Sequence, residues 1–281
     1  MKVVFGGVRG TSCVAQPEFA RFGGDTTSLL VEGSAGGHIL IDAGTGIRQL
    51  GERIAAAGDP SRALLLITHY HLDHVMGLPS LPLLYRPDAS VWMASPPRAG
   101  RAVEKVVRQL MAQPYWPVQM EDLHATIRFL KWKDVASKKP FRFGEFDVRW
   151  CPVHHPGGCT AYRVDEWGSG ASLVFATDIE WALSSPKEKE DFLKLCTEPA
   201  PARLLVMDGQ FNRRGYAPFK GWGHSTWEDT VDVARETGVG ALLITHHAPE
   251  NSDQQLRNLE GIVRKTFARA GLARVGQEIV L

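Results

Sequence analysis

Leu64-Leu65-Leu66-Ile67-Thr68-His69-Tyr70-His71-Leu72-Asp73-His74-Val75-Met76-Gly77 decides the reading of this chain. An apolar run of strand length ends at Thr68, and three histidines and a carboxylate follow within six positions. Extended backbone has a side-chain period of two, so His69 and His71 leave the strand end in the same direction. Asp73 and His74 come next, and a helix is predicted to start at about Met76. Imidazoles grouped with a carboxylate suit borderline-soft divalent ions such as zinc better than calcium or magnesium. The stretch reads as a metal site.

The bounds around it are those of an enzyme. At 281 residues the chain can bury the core of one large α/β domain or two small ones. Hydrophobic residues at 44% and charged residues at 22% are ordinary for a globular protein. A net charge of +1 argues against a role coating nucleic acid, which needs a strong basic excess. Cys13, Cys151, Cys159 and Cys196 are scattered, so neither a disulfide framework nor a cysteine-zinc site is expected. The N-terminal strand is too short for a signal-peptide core, and no apolar run reaches membrane-spanning length. A cytoplasmic enzyme without a membrane partner is the expectation.

Outward from the opening stretch, apolar strands alternate with polar turns. Strands are predicted at Lys2–Val8, Ser28–Glu32, His38–Asp42, Ala63–Thr68, Ser90–Ala94, Glu145–Val153, Ala161–Val164, Leu173–Ala176, Leu204–Met207, Ala241–Thr245 and Glu278–Leu281. Helices are predicted after Asp42-Ala43-Gly44-Thr45-Gly46, over Arg98–Met111, from Ser225 or Thr226 to Glu236, and over Asp253–Ala270. Gly44 and Gly46 read as a tight strand-to-helix turn, because the remaining residues of a nucleotide fingerprint are absent. Three later strands end in ligand-type side chains: His154-His155, Thr177-Asp178 and Thr245-His246-His247. Spacing alone does not choose between His154 and His155; Asp178, in register with the other motifs, reads as a ligand, with a helix N-cap as the alternative. The region 79–149 is proline-punctuated and basic. Its Gln113-Pro114-Tyr115-Trp116-Pro117 kink reads equally as a self-packed loop or as a pocket wall, with Trp116 a candidate substrate contact. Arg213 and Lys220, in the loop Gly209–Gly223, are further candidates.

The pattern His69-x-His71-x-Asp73-His74, followed by histidine, aspartate and histidine, resembles the metallo-β-lactamase superfamily over nearly the whole chain. Tyr162-Arg163 and the segments Gly223-His224-Ser225-Thr226 and Thr245-His246-His247-Ala248-Pro249 are similar to its phosphodiesterase branch, which includes ribonuclease Z and the cyclic phosphodiesterases. The resemblance implies an α/β fold, a four-layer αββα sandwich, as one domain with a pocket-forming insertion around 79–149. It selects His155 over His154 and His246 over His247. The implied ligands are His69, His71 and His155 on one ion, and Asp73, His74 and His246 on the other, with Asp178 bridging. Asp25 departs from the pattern, since this branch commonly carries asparagine there.

The implied cofactor is a pair of divalent ions, zinc first, with manganese or iron compatible, sharing a hydroxide that attacks a phosphodiester. Asp73 would orient that nucleophile, and His224 would bind the phosphate or protonate the leaving oxygen. A small or cyclic phosphodiester is the expected substrate, since no insertion reads as an arm for tRNA. The alternatives are tRNA 3′-processing on an RNA partner, a lactone or thioester hydrolase, and a non-catalytic sensor. A homodimer is compatible with the sequence.

Overall fold

Along His38–Ile41, Ile39 and Ile41 belong to one apolar core and Leu40 to another; along Leu204–Asp208, Leu204 and Val206 divide from Leu205 and Met207 in the same way. Both faces of these strands are buried, which is why they read as continuous apolar runs instead of alternating ones. Each fully buried Leu or Ile side chain contributes about 1.5–3 kcal/mol, so strands covered on both faces supply much of the stabilisation of the core.

The computed structural model describes residues 1–57 and 62–281. The chain opens with β1 (Lys2–Gly7), β2 (Ser28–Glu32), β3 (His38–Ile41), α1 (Ile47–Ala56), β4 (Arg62–Leu66), β5 (Ser90–Ala94), α2 (Val103–Leu110), β6 (Thr126–Phe129) and α3 (Trp132–Ala136). It continues with β7 (Phe141–Phe143), β8 (Phe146–Val153), β9 (Cys159–Glu166), β10 (Ser172–Ala176), α4 (Pro186–Thr197), β11 (Leu204–Asp208) and α5 (Trp227–Thr237). The last elements are β12 (Ala241–Thr245), α6 (Asp253–Thr266), β13 (Ala270–Leu272) and β14 (Glu278–Val280).

Two seven-stranded mixed sheets result, in the orders β14-β1-β2-β3-β4-β5-β6 and β13-β12-β11-β10-β9-β8-β7. Residues such as Phe5, Leu64, Leu66, Tyr162 and Phe175 fill the space between them. The outer face of the first sheet is covered by α1 and α2, and that of the second by α4, α5 and α6. This is the expected four-layer αββα sandwich.

Strand direction places the functional edge. β3, β4, β5 and β6 are mutually parallel, and so are β10 to β13. β8 and β10 both run antiparallel to β9, so β8 shares their direction. The C-terminal ends of β8, β10, β11 and β12 therefore lie along one edge of the second sheet, facing the end of β4 in the first. Open α/β sheets place their ligands at such ends.

Several boundaries differ from expectation. No helix starts at Met76; Pro79 and Pro82 leave only short 3-10 turns over Leu72–His74, Leu78–Ser80 and Pro82–Tyr85. The helix predicted from Arg98 starts at Val103, because Arg98 and Arg101 close a backbone turn on each other. The last helix stops at Thr266, since Ala270–Leu272 pairs with β12. The missed α4 has a readable start: Ser185 and Glu188 form a capping box around Pro186.

Candidate metal centre

Seven side chains predicted as ligands converge. His69 and His71 leave the end of β4, Asp73 and His74 occupy the following 3-10 turn, and His155, Asp178 and His246 follow β8, β10 and β12. The ligand atoms of His69, His71, His155 and Asp178 lie within 4.8 Å of one another, as do those of Asp73, His74 and His246. Asp178 connects the two groups. Its Oδ2 lies 3.6 Å from His69 Nε2 and 3.7 Å from His155 Nε2, while Oδ1 lies 3.1 Å from both His74 Nε2 and His246 Nε2. Asp73 Oδ2 sits 3.3 Å from the same two nitrogens of the second group.

The arrangement fits divalent ions. His69 Nε2 and His74 Nε2 are buried and have no hydrogen-bond partner among the described residues. Buried polar atoms without partners are costly, and a cation in each group, between its nitrogens and the carboxylates, would satisfy them. The donors are imidazole nitrogen and carboxylate oxygen, a set that suits zinc, manganese and iron.

Supporting contacts fix four of the five ligand rings, those of His69, His74, His155 and His246, through their other nitrogen. His74 Nδ1 lies 2.8 Å from Asp42 Oδ2, and Asp42 is itself held by the Thr68 N–H and hydroxyl. His155 Nδ1 donates to the Gly223 carbonyl at 3.0 Å, and His246 Nδ1 lies 3.3 Å from Gln210 Oε1. Thr68 Oγ1 is 3.1 Å from His69 Nδ1. Asp42, Asp178 and His246 hold left-handed backbone, with φ of 61°, 51° and 61°. Non-glycine residues there cost of order 1–3 kcal/mol each, a strain that clusters at functional sites.

The charges are mutually dependent. Burial alone would raise the Asp178 carboxyl, but His246, His74 and His69 outweigh it and hold it well below the usual range. Burial and its histidine neighbours push His69 down. His74 rises despite burial because Asp178, Asp73 and Asp42 surround it.

His224 forms a third close group with Asp178 and His246, their ligand-type atoms within 4.8 Å of one another. Its ring stacks on His246 with centroids 4.8 Å apart, and its Nδ1 lies 2.7 Å from the fully buried Asp208 Oδ2. Burial opposes its protonation, but Asp208, then Asp178 and Asp73, push it up to about 9. The loop carrying it is tied down by the buried Glu180, whose carboxylate accepts from the Tyr216 hydroxyl and from the N–H groups of Gly221 and Gly223. Gly223 holds φ 94°, and a Cβ there would lie 2.0 Å from His155 Nδ1, so only glycine fits.

Other expectations fare differently. Trp116 packs onto the outer core of the first sheet and donates to the Tyr85 hydroxyl at 3.0 Å; its neighbour Tyr115 lines the cleft beside the cluster instead. Arg213 is exposed and pairs with Asp229 and Asp232 at 2.7 and 2.6 Å. Lys220 is exposed in the same loop. His154 lies off the cluster, 3.8 Å from Glu188, and His247 is a buried packing residue donating to the Ala273 carbonyl. The reading from sequence missed Asp42, Asp208, Gln210 and Glu180. Only the first two carried a local signal, an aspartate ending an apolar strand.

Residues 38–247 match the family model described as the Beta-lactamase superfamily domain. Ribonuclease Z of Clostridium acetobutylicum is 30% identical over 85% of this chain and 88% of its own length. Among solved structures, a diphosphatase from the PhnP family is similar with a TM-score of 0.68 at 18% identity, over 100% of this chain and 97% of that one. Zn(2+)-bound PqqB from Methylobacterium extorquens is similar with a TM-score of 0.65 at 16% identity, covering 100% of both chains. Two mixed sheets between helix layers, a cluster of seven ligand-type side chains at their shared edge, and these matches together place the chain in the β-lactamase superfamily, as a metallo-β-lactamase-fold hydrolase of the branch that includes ribonuclease Z.

Proposed function

We propose that the protein is a binuclear metal-dependent phosphodiesterase acting on a small or cyclic phosphodiester. The observation that carries this reading is His224: a buried imidazole whose Nδ1 is paired with Asp208, and whose ring lies against Asp178 and His246 in addition to the two ligand groups that Asp178 joins. A lactone or thioester hydrolase would have no clear use for it. The donor set supports two divalent ions, zinc first, with manganese and iron also suited.

Bound ions would supply Lewis-acid polarisation of the phosphoryl oxygens and an activated water as nucleophile. The chain's own groups do the rest. Asp73, fixed by the Thr11 N–H at 2.8 Å, orients the attacking water through its carboxylate. His224 carries a proton on Nε2 for the leaving oxygen, while Asp208 holds Nδ1 and stabilises the imidazolium. Positioning and charge neutralisation account for most of the acceleration expected in phosphoryl transfer.

The core shared by both sheets supports a single domain, with 79–149 as an insertion that helps to form the pocket. Four free cysteines fit a cytoplasmic location, and among the described residues no helix is long and apolar enough to cross a membrane. Endonucleolytic processing of RNA is the second reading, favoured by the name of the Clostridium relative.

The test is hydrolysis of bis(p-nitrophenyl) phosphate by metal-loaded protein, beside a panel of cyclic nucleotides and a precursor tRNA. Metal-dependent turnover of the small diesters supports the proposal. Cleavage of the precursor alone would move the assignment to RNA. No turnover with two ions bound would sink both.

A further inference from the structure

The cluster opens into a cleft of about 580 Å³, in which His69 and His71 are among the lining residues. Leu72, Val106, Leu110, Tyr115 and Pro156 make its surface mostly apolar. That volume suits a ligand of mononucleotide size and is small for a folded RNA.

Two cations interrupt the apolar lining, Arg98 and Arg101. Other arginines of the same region are neutralised: Arg86 by Asp88, and Arg108 by Glu104 and Glu121. The partners of the cleft arginines are neutral. Arg98 Nη2 donates to Thr160 Oγ1 at 2.5 Å, and Arg101 Nη1 donates to Gln109 Oε1 at 2.6 Å. Arg98 Nε is buried and has no partner among the described residues. Among the described residues no carboxylate pairs with Arg98, so its charge is left available to an anion in the cleft. Gly158, at φ 82°, makes the placement feasible, since a Cβ there would lie 2.7 Å from Arg98 Nη1.

Building on the diesterase reading, we propose that Arg98 is a specificity-determining residue. The cleft receives one substituent of the diester, an aromatic or nucleoside-sized group bearing a second phosphate or carboxylate. Arg98 binds that second anion through the guanidinium nitrogens of its terminal fork, the planar arrangement that suits such groups. Arg101 adds charge to the same cleft.

The experiment has two arms. Calorimetry on the metal-loaded protein compares thymidine 3′,5′-bisphosphate with thymidine 5′-phosphate, for wild type, Arg98→Met and Arg98→Lys. Wild type should prefer the bisphosphate by about tenfold or more, the worth of a charged hydrogen bond. Arg98→Met, which keeps the packing of the stem, should bring the ratio close to one, and Arg98→Lys should recover part of it. Kinetics on the p-nitrophenyl ester of thymidine 5′-phosphate, with and without a 3′-phosphate, should show the same preference in KM and not in kcat.

Equal binding of both ligands by wild type would overturn the proposal, as would an equal loss for both ligands in Arg98→Met. A binding preference that vanishes in Arg98→Met, without hydrolysis of either ester, would leave Arg98 standing and remove the diesterase reading. Hydrolysis of both esters without preference would do the reverse.

Discussion

Asp208 Oδ2 lies 2.7 Å from His224 Nδ1, and both groups are buried at the edge of the metal cluster. The contact fixes the ring and its proton while leaving Nε2 on the side of the cluster. His224→Ala should lower kcat on bis(p-nitrophenyl) phosphate by about 10²–10⁴, the range for a lost general acid. Asp208→Asn should cost about 10–100-fold, because the ring stays but its orientation and charge are no longer held. Both variants should keep the wild-type metal content, measured by elemental analysis. Loss of an ion from His224→Ala would instead make His224 a permanent ligand.

Asp42 is the corresponding support for a ligand. It accepts from both the N–H and the hydroxyl of Thr68 and faces His74 Nδ1 at 2.8 Å. Asp42→Asn should weaken metal binding by about 10–100-fold at the group containing Asp73, His74 and His246, leaving the other group nearly unaffected. Competition with a chromogenic chelator would resolve the two affinities. A uniform loss at both would show that Asp42 supports the strand end as a whole and not His74.

The layers and the convergence of the candidate ligands were legible for one reason: each candidate follows an apolar strand, and period-two geometry at a strand end is a local property. The supports were not, because they act across the sequence. His224 and Asp208 are separated by sixteen positions, and Glu180 reaches Gly221 and Gly223 over more than forty. Which of Tyr115 and Trp116 lines the cleft was not legible, because a proline-flanked kink has neither helical nor strand periodicity to say which aromatic faces inward. The pairing of Arg213 with Asp229 and Asp232 depends on the first turns of α5 lying beside its loop, a relationship that no local pattern announces.

Gly223 couples the His224 loop to His155. Its carbonyl accepts from His155 Nδ1, its φ is 94°, and a Cβ added to it would fall 2.0 Å from that nitrogen. Gly223→Ala should therefore destabilise the fold by more than the roughly 1 kcal/mol of a simple positive-φ substitution. It should also weaken the ion held by His69, His71 and His155 together with the activity. Wild-type metal affinity in this variant, by the same chelator competition, would show that the loop moves independently of His155.

Glu260 offers a pH test away from the centre. Its carboxylate joins α6 to β13 and the residues after it, accepting from Arg274 Nη2 at 2.6 Å, the Leu272 N–H at 3.2 Å and Arg264 Nη2 at 3.2 Å. Burial alone would raise this carboxyl, but Arg274, Leu272 and Arg264 outweigh it and hold it below its ordinary value. A group with a depressed folded pKa contributes its stability above the unfolded value of about 4.3 and loses it as pH falls through the folded one. Both arginines reach solvent, so the pair is screened, and Glu260→Gln should cost about 1 kcal/mol near neutral pH. Urea unfolding at about pH 7 and about pH 3 should show that difference shrinking toward zero at the acid end, where the wild-type carboxyl has taken up its proton. A difference that persists unchanged in acid would mean that Glu260 stabilises through its shape and packing, and that its charge contributes nothing.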